Sequence, residues 1–189
     1  MTKIITNNGY QLYYIHGYES EPLSKKGKLF RQTLNAKPIK YRDCPPQDMI
    51  ISQCLKEIRD KIKKDSNPIL IGSSFGGFLA AKIAQINPKV KQIILLNPAI
   101  IPPFYKIDNT SSMPHRILIE MKDTKLFYEN IPANISIICG TNDDVIPTNW
   151  TIDFAITQQA TIKFLDDDHR FTLNLNNLPR IIKNLIDKT

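Results

Sequence analysis

Cysteine, histidine and tryptophan are scarce in this chain of 189 residues, which holds three, three and one of them. Cys44, Cys54 and Cys139 form no C-x-x-C pair and leave one over, so neither a disulfide framework nor a zinc knuckle is suggested. They read as reduced core thiols. Seven glycines and 13 prolines are too few for collagen or low-complexity sequence. No apolar run approaches the roughly 18 residues of a membrane helix, which excludes a helical membrane span. The amino terminus, Met1-Thr2-Lys3-Ile4-Ile5-Thr6-Asn7-Asn8-Gly9, lacks the apolar stretch and small-residue cleavage site of a secretory signal. A soluble, cytoplasmic protein is the expectation.

What remains is an ordinary globular composition, 42% hydrophobic and 23% charged, and one compact domain over 1–189 is expected. The formal charge of +7 is uneven: 16 basic and 7 acidic side chains fall in residues 1–91, against 9 and 11 in 92–189. Much of the excess lies in Lys25, Lys26 and Lys28 and in Lys56, Arg59, Lys61, Lys63 and Lys64. Such a rim can steer an anionic ligand or be a plain solvated surface. No nucleic-acid motif accompanies the charge and no aromatic residues are interleaved with it, so a nucleic-acid partner is not expected.

Strands and helices alternate along the chain. Gln11–Ile15 is β-rich and stops at His16-Gly17, with a small strand at Lys3–Thr6 possible before the Asn8-Gly9 turn. A helix fits Lys25–Leu34 and a strand Pro38–Tyr41. From Asp48 to Lys64 apolar residues recur at helical spacing. The strand Pro68–Ile71 runs into Gly72-Ser73-Ser74-Phe75-Gly76-Gly77 and a helix, Phe78–Ile86, closed by Asn87-Pro88. Val90–Leu96, Ile135–Cys139 and Thr161–Leu165 supply further strands, and Trp150–Gln158 and Leu178–Asp187 further helices. Strands apolar on both faces, alternating with helices, predict an α/β fold: a mostly parallel sheet of about six strands covered on both sides. The segment 98–132, broken by Pro98, Pro102, Pro103, Pro114 and Pro132, has no clear period and suits a small flap over a pocket or simple core.

Gly72-x-Ser74-x-Gly76 matches a nucleophile elbow, in which a serine sits on a strained turn and its neighbours two residues away must be small. Its place between a strand and a helix is where that chemistry needs it, and it lacks the Lys-Ser/Thr ending of a phosphate loop. Ser74, rather than Ser73, is the candidate nucleophile. A serine hydroxyl needs a histidine to take its proton and a carboxylate to hold that histidine's tautomer. His169, in Asp166-Asp167-Asp168-His169-Arg170-Phe171, follows a strand and precedes the last helix and is the candidate base; His115 has no comparable position. Asp143, in the loop after a buried strand, is the candidate acid, with Asp144 read as a loop or capping residue. The order Ser74, Asp143, His169 is that of the α/β-hydrolase arrangement. Backbone N–H groups of Phe75 and of the His16-Gly17-Tyr18 loop are the expected oxyanion donors, and His16 is read as holding that turn.

The run Leu12-Tyr13-Tyr14-Ile15-His16-Gly17-Tyr18-Glu19-Ser20-Glu21-Pro22-Leu23-Ser24-Lys25 resembles the amino-terminal signature of the small bacterial YqiA-type esterases, the UPF0227 group of the α/β-hydrolase superfamily. Ile71-Gly72-Ser73-Ser74-Phe75-Gly76-Gly77-Phe78 is similar to the group's elbow, and Leu96-Asn97-Pro98-Ala99 to the strand end that follows. The resemblance covers essentially the whole chain. It implies Ser74, Asp143 and His169 as the triad, through Gly140-Thr141-Asn142-Asp143-Asp144-Val145-Ile146-Pro147, and Tyr18 and Phe75 as oxyanion donors. The chain departs from the group at Asp166-Asp167-Asp168, where small or glycine residues are usual, and in 98–132.

The reading is a serine hydrolase cleaving carboxylic esters or thioesters through an acyl-enzyme on Ser74, needing no cofactor and no metal. Its substrate is a small-molecule ester or thioester, and the basic half admits an anionic one such as an acyl-CoA. Two rivals stand beside it. One is metal-assisted hydrolysis at Asp143, Asp144 and Asp166–Asp168; the other is a non-catalytic binding protein on a hydrolase scaffold.

Overall fold

A computed structural model describes residues 9–106 and 113–186. Six strands, β1 (Gln11–Ile15), β2 (Lys37–Ile39), β3 (Pro68–Ser73), β4 (Gln92–Leu96), β5 (Asn134–Gly140) and β6 (Thr161–Leu165), form one parallel sheet in the order β2-β1-β3-β4-β5-β6. The helices between them are α1 (Lys25–Leu34), α2 (Ile51–Ile62), α3 (Phe75–Ile86), α4 (His115–Met121), α5 (Lys125–Tyr128) and α6 (Thr148–Thr157), and α7 (Leu178–Ile186) follows β6. This is the expected α/β architecture, a parallel sheet of six strands covered by helices. Among the described residues no helix is long and apolar enough to cross a membrane.

Side-chain alternation along the strands divides the core into two layers. Leu12, Tyr14, Ile69, Ile71, Ile94, Leu96 and Ile138 face α1 and α7, packing on Phe30, Phe171, Leu178 and Ile182. Tyr13, Ile15, Leu70, Ile93, Leu95, Ile135 and Ile137 face the other way, onto α2 to α6. Both faces are covered, which is why β3 and β4 are buried along their whole length. Cys44, Cys54 and Cys139 are free, and burial pushes the Cys54 and Cys139 thiols up to about 11.

Several boundaries differ from expectation. The helix expected from Asp48 begins at Ile51, because Pro46–Asp48 forms a short 3-10 turn and Met49 and Ile50 are extended. The helix expected from Phe78 begins at Phe75, since the elbow turns straight into it. Segment 98–132 carries α4 and α5, and its Ile117, Leu118, Met121, Leu126, Phe127 and Ile131 join the core, while Phe104 and Tyr128 are exposed. The expected strand at Lys3–Thr6, the end of the last helix at Asp187 and residues 107–112 lie outside the described residues.

Because every strand runs the same way, the loops after Ile15, Ser73, Leu96, Gly140 and Leu165 all leave from one edge of the sheet. The lysines divide accordingly. Lys25 and Lys26 open α1, next to that edge, whereas Lys61, Lys63 and Lys64 close α2 just before β3 begins and lie at the opposite edge. They do not form the single rim that their sequence clustering suggested.

Candidate active site

Ser74 stands between the last residue of β3 and the first of α3 with φ 53° and ψ −121°. That conformation is costly for a residue with a Cβ and is held by its surroundings. The Ser74 N–H donates to Leu96 O at 2.9 Å, and its carbonyl accepts from the N–H groups of Gly77 and Ala99 at 2.8 and 3.1 Å. The glycine spacing has a direct cause. A Cβ on Gly72 would overlap the Gly76 carbonyl, and one on Gly76 would overlap the carbonyl of Ile15, so helix, elbow and β1 meet only without side chains there. Ser73, by contrast, is the buried end of β3.

Asp143, three residues past β5, has a side chain only 1% exposed. Its Oδ1 accepts the N–H groups of Val145 and Ile146, both at 2.9 Å, and its carboxylate meets His169 Nδ1 at 2.8 and 3.0 Å. With Nδ1–H donated to Asp143, the Nε2 of His169 is left as the acceptor. Asp144 is exposed. Among the described residues neither Ser74 Oγ nor His169 Nε2 takes part in a hydrogen bond. Asp143 and His169 are thus brought together as a pair, and Ser74 is placed on the same edge without a hydrogen bond to the imidazole.

The aspartates before His169 build its loop. Asp167, 1% exposed, accepts the N–H groups of Asp168, Leu173 and Asn174. Asp168 accepts from the Thr172 hydroxyl and from the N–H groups of Arg170 and Thr172, and these bonds hold its carboxyl below the usual carboxylate range. Asp166 accepts from the Asn142 amide. Among the described residues no three His, Cys, Asp or Glu side chains gather as a metal site would require.

Asn97 was noted in the sequence only as part of a strand end. It is 1% exposed with φ 42°. Its backbone N–H donates to Ile138 O at 3.0 Å, its Oδ1 accepts from the Gly140 N–H at 2.7 Å, and its Nδ2 donates to the carbonyls of Asp168 and His169 at 3.3 and 3.1 Å. One side chain therefore ties the ends of β4 and β5 to the histidine loop. An asparagine closing a buried strand just before a proline was the available signal.

The loop after β1 lies against the elbow: a Cβ on Gly17 would stand 3.4 Å from Ser74 Cβ. His16 is 2% exposed, donates Nδ1–H to Gly17 O at 2.9 Å and stacks on Tyr41 at 4.3 Å and 21°. Burial pushes its pKa down to about 4, so it is neutral and structural in this turn. Among the described residues the N–H groups of Tyr18 and Phe75 have no hydrogen-bond partner. Tyr41 and Arg42, to which the sequence pattern assigns no role at the site, hold this loop through its carbonyls. Lys26 leans on the histidine loop, its Nζ 5.6 Å from the Phe171 ring centre, and burial pulls its amine down to about 8.

Comparison with known proteins places this architecture in context. The model of the family described as "Uncharacterised protein family (UPF0227)" matches residues 11–186. A UPF0227 protein of Shewanella woodyi is 23% identical over 182 residues, covering 90% of this chain and 96% of its own. Among solved structures, Est1E from Butyrivibrio proteoclasticus with ferulic acid bound is similar with a TM-score of 0.76 at 17% identity, over 96% of this chain and 90% of that one. Mouse alpha/beta hydrolase domain-containing protein 10 gives 0.75 at 18%, over 94% and 90%.

Proposed function

This chain belongs to the UPF0227 family, and from that premise we propose that it is a serine hydrolase of carboxylic esters or thioesters, with Ser74 as nucleophile, His169 as base and Asp143 as acid. The observation that carries the reading is the buried Asp143–His169 pair, set on the same sheet edge as a serine in the strained elbow conformation. The N–H groups of Tyr18 and Phe75, without a hydrogen-bond partner among the described residues, are the oxyanion donors in this reading.

In this reaction Ser74 Oγ attacks the acyl carbonyl while its proton passes to His169 Nε2. Asp143 keeps the imidazole in the Nδ1–H tautomer and stabilises the imidazolium that forms. The carbonyl oxygen, now an oxyanion, accepts from Tyr18 and Phe75 N–H. Collapse breaks the bond to the alcohol or thiol, which leaves with the proton from His169. Water then gives a proton to His169 and attacks the acyl-enzyme, and in a second collapse the bond to Ser74 Oγ breaks, Oγ takes that proton back from His169, and the free acid leaves. None of these steps draws on a cofactor.

Est1E, of the same fold, is solved with a free carboxylic acid bound, the kind of product this reaction releases. Lys26, beside the histidine loop, favours substrates that carry an anionic group, as an acyl-CoA does. Against the rival metal reading, the Asp167 and Asp168 carboxylates are already engaged by N–H and hydroxyl donors of the loop itself. The test is labelling by a fluorophosphonate, paired with turnover of p-nitrophenyl esters and acyl-CoA thioesters of graded length. Labelling in the wild type and none in Ser74→Ala supports the reading. A wild-type protein that neither labels nor turns over any ester supports the binding-protein rival instead.

A further inference from the structure

Tyr41 and Arg42 follow β2 and reach across to the loop over Ser74. The Tyr41 hydroxyl donates to the carbonyls of His16 and Gly17, at 3.3 and 3.2 Å. Arg42 Nη2 donates to the carbonyls of Tyr18 and Ser20, at 2.7 and 3.1 Å, and Nη1 to that of Cys44 at 3.0 Å. The guanidinium lies 5.8 Å from the centre of the Tyr41 ring, and its Nε is buried without a partner. Among the described residues no carboxylate lies within ion-pair distance of it.

We propose that Arg42 is a positioning residue for the oxyanion hole, holding the peptide unit after Tyr18 and with it the loop that carries the Tyr18 N–H; the inference rests on the serine-hydrolase reading above. A peptide unit is planar and trans, so its C=O and N–H point in opposite directions and only φ and ψ of the residue between two units are soft. The unit before Tyr18 is pinned by its Gly17 carbonyl, which accepts from Tyr41 and from the Ser20 N–H. The unit after Tyr18 is pinned by its own carbonyl, held by Arg42. With both planes held, both dihedrals of Tyr18 are held, and its N–H, trans to the Gly17 carbonyl, points away from the Tyr41 hydroxyl. The job suits arginine, whose rigid fork serves three carbonyls at once, better than lysine, whose ammonium is a point donor on a flexible stem.

A hydrogen-bond donor misplaced in the transition state lowers kcat, while ground-state substrate binding is spared. The experiment compares wild type, Arg42→Met and Arg42→Lys for hydrolysis of p-nitrophenyl acetate and for inhibition by phenylboronic acid. The tetrahedral boronate adduct on serine puts an oxygen where the oxyanion forms. Arg42→Met is expected to lose about tenfold to a hundredfold in kcat with KM within about twofold, and the boronate inhibition constant should rise by a similar factor. Arg42→Lys, keeping the charge and losing the fork, should fall between. Circular dichroism reports whether each variant is folded, and Arg42→Lys carries the test if Arg42→Met is not. Unchanged kcat and boronate affinity in a folded variant overturns the proposal, and so does a change confined to KM. If Ser74→Ala keeps wild-type activity, the serine-hydrolase reading fails and takes this inference with it; failure at Arg42 alone leaves that reading standing.

Discussion

Asp143 and His169 face each other with His169 Nδ1 2.8 Å from Oδ2 and 3.0 Å from Oδ1, while Oδ1 also accepts two backbone N–H groups of its own loop. The carboxylate is thus oriented before the histidine meets it. Asp143→Asn keeps the shape but replaces one acceptor oxygen by an NH2 donor. Turnover should fall on the order of a thousandfold or more, with the unfolding midpoint little changed. Asp144→Asn, at an exposed position, should stay near wild type. Steady-state kinetics with a p-nitrophenyl ester checks both, and a reversed pair of effects would move the acid by one residue.

Ser74→Ala should abolish fluorophosphonate labelling and reduce ester hydrolysis by several orders of magnitude. Ser73→Ala, at the buried end of β3, should retain most activity if the protein folds. Equal loss in both variants would remove the elbow assignment.

Asn97→Gly keeps a residue that adopts positive φ easily but deletes the amide that serves Gly140, Asp168 and His169. The Gly140 N–H is then left unpaired, at a cost of about 1–3 kcal/mol in stability. Urea unfolding should show that loss. Turnover should drop further than stability explains, because the histidine loop is released from β4, and full activity in a folded variant would contradict this role.

The His16 imidazole, neutral in the fold with a pKa of about 4, titrates near 6.5 when the chain is unfolded. Between those values the unfolded chain binds the extra proton, so stability falls as pH drops from about 6.5 to about 4. Below that window both states are protonated and the term is fully lost. His16→Asn should flatten the stability profile within this window, as thermal or urea unfolding across pH reports. An unchanged slope would mean the histidine is not the group responsible.

Charge should matter at one edge only. Lys26→Ala is expected to weaken turnover of an anionic acyl-CoA at low substrate while sparing a neutral p-nitrophenyl ester. Lys63→Ala, at the far edge, should change neither. Equal effects of the two substitutions on the acyl-CoA rate would leave the lysines a solvated face.

Those parts of the candidate site that sit on local pattern are legible in the sequence. Gly72-x-Ser74-x-Gly76 between an apolar strand and a helix is a short-range arrangement, and so is the aspartate after β5. The sheet was legible for the same reason, because runs such as Ile93–Leu96 are apolar on both faces. Asn97, Tyr41 and Arg42 were not legible, since their bonds to His169, Gly17 and Ser20 span 22 to 72 residues that only the folded sheet edge brings close. Lys61, Lys63 and Lys64 misled because closeness in sequence to other lysines says nothing about which end of a strand a helix returns to. The proline-broken stretch was opaque because α4 and α5 are too short to show a period.

The reach of Asn97 also has a kinetic side. Its bonds to Gly140 and His169 close intervals of 43 and 72 residues, and such closures come late because their entropy is spent before any contact repays it. During refolding the local β3-elbow-α3 unit can form early, but catalytic competence waits until β5 and the histidine loop have docked. Recovery of esterase turnover should therefore lag behind recovery of helical circular dichroism, making activity the readout of the last step in assembly rather than of collapse.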